Sequence, residues 1–187
     1  MSMANESEKN DLKKALLSED DIGKVVRTHI CIERHINEFI DLSIDKPNYL
    51  KPIKLDYFGK VNLSISVGLD ESLEKPLLQI GTIRNRFAHR YNQSLDTNTI
   101  NNLYSSFTSE QKEEIQENDN EIDSSWKGKP GGWRNEDPDT QFTVMSMYLF
   151  WKLKTEVSAK RFSLEIQRKN EEIRRINEKM LENESGL

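Results

Sequence analysis

The segment from Pro138 to Asn183 constrains the fold more than any other. Its first part is apolar on nearly every side: Phe142, Val144, Met145, Met147, Tyr148, Leu149, Phe150 and Trp151. Its second part thins to a seven-residue repeat. Ala159, Ile166, Ile173 and Met180 form one row, Phe162 and Ile176 stand at the companion positions, and Lys169 interrupts the pattern. This spacing predicts one long helix from about Pro138 to Asn183. It enters a packed body at one end and carries a narrow coiled-coil-type seam at the other. A partner helix, a symmetry mate or the first helix of the chain would satisfy such a seam.

The rest of the chain also reads as helices. Ser18-Glu19-Asp20-Asp21 is a cap with acids in the first turn. Behind it Ile22, Val25, Val26, His29, Ile30, Ile32, Ile36, Phe39 and Ile40 follow helical spacing to about Ile44, before Pro47 and Pro52. A short helix is expected over Asp11–Leu17, with residues 1–10 frayed. Leu55 to Leu69 reads as helix in spite of its β-branched residues. Leu73 to Phe87 is a third strong segment, with Pro76 in its first turn. Asp96-Thr97-Asn98 opens a short helix to Phe107, and Ser109 to Asp123 either continues helically or forms a solvated arm. The glycines and proline of 126–133 make a loop. The expected organisation is an all-α helical bundle over residues 11–160, with 161–187 as a coiled-coil-like extension of the last helix.

Composition narrows the function classes. In 187 residues there are 27 basic and 32 acidic side chains, a formal net charge of −5. General nucleic-acid binders are more often basic, so the balance favours a protein partner with a basic surface. One cysteine, Cys31, excludes an internal disulfide and reads as a small buried hydrophobe. Three histidines and no CxxC give no zinc spacing, and no metal or cofactor is expected. The charged N-terminus lacks a signal-peptide core, and no apolar run reaches the length of a membrane span, so a cytoplasmic location is expected.

Two groups carry candidate chemistry. The first is Ile83-Arg84-Asn85-Arg86-Phe87-Ala88-His89. Ile80, Ile83 and Phe87 would fasten this helix to the core. Asn85 and His89 lie one turn apart, while Arg84 is about 140° from His89 around an ideal helix. A permanent cation and an imidazole suit metal-free phosphodiester chemistry, and they suit a protein contact or a hydrogen-bond network equally. His29 and His35 read as core-edge or surface residues, and Glu33 and Glu38 are carboxylates that no spacing ties to His89. The second group is the run from Glu110 to Asp123, which holds seven acids (among them Glu113, Glu114, Glu117, Asp119, Glu121 and Asp123) and one lysine in fourteen residues. Trp126 and Trp133 flank the loop behind it and are candidate partner anchors.

The Arg84-Asn85-x-x-x-His89 segment resembles the HEPN superfamily, helical bundles marked by arginine, a polar residue and a histidine in this order. In nuclease members that pair sits at a dimer interface and cleaves RNA without metal. The resemblance implies that His89 would handle protons, Arg84 would hold phosphate and Asn85 would support geometry. A longer stretch, from about Asp21 to Leu103, is similar to the mannitol operon repressor family. It is carried by Leu55-Asp56-Tyr57-Phe58-Gly59-Lys60-Val61-Asn62-Leu63-Ser64-Ile65-Ser66-Val67-Gly68-Leu69, by the Arg84–His89 segment and by Leu95-Asp96-Thr97-Asn98-Thr99-Ile100. This likeness implies an all-α body that regulates through protein contact, and it ends near Phe107.

Two functions follow as expectations. The leading one is a non-catalytic binding protein, either a regulator or an antitoxin or immunity-type inhibitor of a basic toxin nuclease. The alternative is a metal-independent HEPN endoribonuclease with RNA as substrate, for which a homodimer is the natural arrangement. Direct DNA binding is the weakest reading, because Arg168, Lys169, Arg174 and Arg175 alternate with Glu165, Glu171, Glu172 and Glu178 as in a salt-bridge-laced helix.

Overall fold

The computed structural model describes residues 3–89, 93–118 and 135–185. Within them the chain is all-α, as the patterning predicts: α1 (Met3–Ser18), α2 (Asp21–Ser43), α3 (Tyr57–Ser66), α4 (Glu74–His89), α5 (Thr97–Ser106), α6 (Ser109–Asn118) and α7 (Pro138–Ser185). Two 3-10 segments, Pro47–Ile53 and Glu71–Leu73, join α2 to α3 and α3 to α4. No strand occurs among the described residues.

Aspartate caps fix several of the helix starts. Asp20 accepts from the Gly23 N–H at 2.8 Å, Asp56 from Gly59 at 2.8 Å, Asp96 from Thr99 at 2.7 Å and Asp137 from Thr140 at 3.0 Å. Each satisfies a donor the first turn leaves open, at about 1 kcal/mol per cap. Pro138 follows its cap as the first helical residue of α7, where no N–H is needed. At the far end of α3, Gly68 takes φ +106° and its N–H returns to the Ile65 carbonyl at 3.0 Å, closing the helix.

The core is built on α2 and the first half of α7. These two helices run side by side in the same direction. Buried Lys24 pairs with Asp139 at one end, the His35 ring meets Phe150 edge-on at 5.1 Å midway, and Glu38 pairs with Arg161 at the other end. Every residue from 142 to 150 is buried. That is the signature of a helix enclosed on all sides, so the other helices wrap around it. On one flank α1 lays Leu12 and Leu16 against Met147 and Phe150, with half-buried Cys31 and Trp151 at the edge. On the other, α3, α4, α5 and α6 contribute Val61, Leu77, Ile80, Ile83, Leu103 and Ile115 to the main core.

One expectation changes, and three open points are resolved. The first helix begins at Met3, so residues read as frayed belong to α1; no glycine or proline interrupts 3–18. Within α2, Ile22, Val26 and Ile30 follow the helical spacing but face outward, 44, 41 and 60% exposed. Residues 109–118 of the acidic run form a helix docked on the bundle, while Asp119, Glu121, Asp123, Trp126 and Trp133 lie outside the described residues. The coiled seam is present on α7 and is covered by no described residue. Phe162, Ile166, Ile173, Ile176 and Met180 are all exposed, and α1 packs against the Met147–Phe150 stretch instead.

Candidate functional site

The α4 helix is held from below by a buried face of Pro76, Leu77, Ile80, Gly81, Ile83 and Phe87. Tyr57 at the start of α3 packs directly against it. The Tyr57 hydroxyl donates to the Leu77 carbonyl at 2.9 Å, and a Cβ built on Gly81 would lie 2.6 Å from the Tyr57 ring. Gly81 is therefore the residue that lets α4 approach the aromatic ring. Burial pushes the Tyr57 phenol well above its ordinary range, so it acts as a neutral hydrogen-bond donor.

This packing leaves the motif on the open side. Arg84 and His89 are exposed and Asn85 is partly so, the rim placement expected from the buried Ile80–Ile83–Phe87 face. The Arg84 Nη1 donates to the Asn85 Oδ1 at 3.1 Å, which ties the arginine to its own helix. His29 of α2 packs on the other side of Tyr57, near enough for the Arg84 charge to act on it. Its ring lies 4.4 Å from the Tyr57 ring, tilted by 38°, and it is buried. Burial holds the His29 imidazole below its ordinary value; Glu33 opposes this shift, and the positive charges of Arg84 and Lys60 add to it. Glu33 sits one turn along α2, with Oε2 at 3.7 Å from His29 Nδ1 and Oε1 at 2.6 Å from Lys60 Nζ.

His29 thus stands where three helices meet, with the Glu33–Lys60 pair beside it and the Arg84 charge acting on it from α4. The sequence reading placed Arg84 with Asn85 and His89 and set His29 apart. The signal available was the His29–Glu33 spacing of one turn, and nothing local joined it to a helix more than fifty residues on. The Leu95 N–H donates to Asp21 at 2.8 Å, so the chain beyond α4 returns to the beginning of α2. The exposed row Ile22, Val26 and Ile30 lies on the stripe of α2 that carries His29 and Glu33.

His35, the other α2 histidine, is a core residue. It is 3% exposed, its Nδ1 lies 2.8 Å from the Cys31 carbonyl, and burial lowers its pKa. Beside it a cleft of about 370 Å³ opens between α2 and α7, lined by Arg34, Glu38, Lys154 and Arg161 among others. Lys154 lies over the Phe150 ring at 5.3 Å and the Trp151 ring at 5.8 Å. Burial, and then Arg34, lower its pKa.

The candidate acids of α6 divide. Glu113 and Glu117 are exposed. Glu114 turns inward and accepts from the Tyr148 hydroxyl and from Lys152 Nζ, both at 2.6 Å. Burial alone would raise its pKa, but these two donors outweigh it and hold the carboxyl below its ordinary value. Glu114 is a link between α6 and α7. Among the described residues no group of three or more His, Cys, Asp or Glu side chains is placed to hold a metal, and no helix is long and apolar enough to cross a membrane. No family model, no curated protein and no solved structure matches this chain.

Proposed function

We propose that this protein is a non-catalytic helical binding protein that acts in the cytoplasm through protein–protein contact, as a regulator or as an antitoxin or immunity-type inhibitor of a toxin nuclease. The observation that carries this reading is the exposed row Ile22–Val26–Ile30, 44, 41 and 60% accessible, lying along the same stripe of α2 as His29 and Glu33. Contiguous exposed apolar side chains with a polar rim are the usual mark of a protein-docking surface. The net charge of −5 and the outward Glu113 and Glu117 favour a partner with a basic surface, steered in by charge and held by the apolar row. Val26→Glu with Ile30→Glu is expected to abolish protection against, or co-purification with, the cognate partner, at unchanged Tm. The double variant Arg84→Ala/His89→Ala is expected to keep both. Loss of activity in the folded Arg84/His89 variant, with activity kept in the Val26/Ile30 variant, overturns this reading.

A second reading is the metal-independent HEPN endoribonuclease. It is favoured by Arg84 and His89 both standing exposed on the last turns of α4, with Asn85 bonded to the guanidinium. It requires RNA cleavage in EDTA that either Arg84→Ala or His89→Ala removes; inert wild-type protein across structured and unstructured RNAs rules it out.

A further inference from the structure

Beyond Val157, the last buried residue of α7 among the described side chains, the helix leaves the bundle and continues to Ser185. Its apolar residues in this stretch fall on one stripe. Phe162, Ile166, Ile173, Ile176 and Met180 are 66, 43, 56, 50 and 52% exposed. The stripe continues a face that is already a helix–helix interface inside the body. Met145 and Lys152 precede Ala159 at seven-residue steps, and Tyr148 stands in the Phe162 row. Within the body α5 and α6 cover that face, through Phe107 on the Tyr148 ring at 5.7 Å and Glu114 on Tyr148 and Lys152. The opposite side of α7 belongs to α2, through Lys160 over Phe39 and Arg161 on Glu38. The seam past Ala159 is therefore the same covered face, prolonged beyond the helices that cover it.

We propose that this segment pairs antiparallel with the same segment of a second copy of the chain. Charge selects both the occupant and the direction. In a parallel pair, Lys169 would face the partner's Lys169 in the middle of the seam, a like-charge opposition inside an apolar layer. In an antiparallel pair, Phe162 faces the partner's Met180, Ile166 faces the partner's Ile176, and Lys169 faces the partner's Ile173. The Lys169 ammonium then lies beside the partner's Glu172 and offsets the approach of the two Glu172 carboxylates at the centre, and Glu165 meets the partner's Lys179. One sulfur–aromatic layer and one isoleucine layer lie on each side of the centre. Length fits the same register. In this register Val157 comes opposite the partner's position 185. The two bundles then sit at opposite ends, about 40 Å apart along the axis at 1.5 Å per residue. The dimer carries two α2/α4 surfaces, and it gains avidity for any target that presents two sites.

Sedimentation equilibrium of the full chain is expected to show a dimer at micromolar concentration. Ile173→Glu is expected to weaken it at least tenfold while the near-UV circular dichroism of the bundle is unchanged. Direction is read by disulfide trapping in a Cys31→Ser background, with Cys31→Ala as a second background. Phe162→Cys protein mixed with Met180→Cys protein is expected to cross-link, and each alone is expected not to; Ile166→Cys with Ile176→Cys gives an independent pair. A monomer at all accessible concentrations, a dimer indifferent to Ile173→Glu, or homodisulfides from the single variants each overturn the proposal. Any of these results leaves the α2/α4 docking surface untouched, since that surface is tested by Val26→Glu with Ile30→Glu.

Discussion

The two halves of α7 are one continuous helix, and they obey different rules. From 142 to 150 every side chain is enclosed, polar Thr143 and Ser146 included. From 161 to 180 nearly every side chain is exposed, apolar Phe162 and Ile173 included. Helical propensity and the capped start at Asp137 serve both halves alike, so local structure is not what separates them. The first half is surrounded by α1, α2 and α6, and the second outruns them. Apolar side chains in the first half stabilise the fold directly. Those in the second half are accessible for association.

Substitutions sharpen this contrast, beginning with the largest effect. Phe150 is 1% exposed and contacts His35 and Trp151, so Phe150→Ala is expected to cost about 3–5 kcal/mol by chemical denaturation. A loss under about 1 kcal/mol would mean that the first half is no more enclosed than the second. Gly81→Ala is the next largest. Its Cβ would meet the Tyr57 ring at 2.6 Å, and overpacking of this kind costs about 1–3 kcal/mol, read as a lower urea midpoint at unchanged slope.

Acid sensitivity is expected to reside in the body as well. His29 and His35 are held below their ordinary value of 6.5 by burial, and residues 161–187 contain no histidine. For a base with a depressed folded pKa, the unfolded chain binds the proton first as pH falls. The stability these two residues allow is therefore complete above about 6.5 and declines below it, toward the folded-state values. His29→Gln with His35→Gln is expected to flatten the pH 5–7 part of the stability profile. A slope there that the double variant leaves unchanged would place the sensitivity elsewhere. At the small end, Arg174→Ala removes an exposed pair with Glu178 and is expected to leave Tm unchanged within error.

The part of the candidate site that sequence made legible lies on one helix. The one-turn spacing of Asn85 and His89, and the buried face of Ile80, Ile83 and Phe87, follow from helical periodicity alone, and the exposure of Arg84 and His89 agrees with them. Two things escaped. Ile22, Val26 and Ile30 share the spacing of core residues, and a period cannot tell an apolar stripe that is covered from one that is left open. His29 is brought toward α4 through the Tyr57 ring, which Gly81 admits between α3 and α4, a contact between segments far apart in the chain. Glu114 escaped for a similar reason: it belongs to an acidic run, yet Tyr148 and Lys152 draw it inward.

By itself the sequence determined that the chain is helical, where most helices begin, and that the last one outlasts the rest. Side-chain period and aspartate caps act within a few residues, so they are written locally. The tertiary structure decided which apolar stripes are buried, which histidine stands by Arg84, and where α7 leaves its neighbours. Those outcomes depend on which helices lie alongside one another, and that is a property of the packed bundle as a whole.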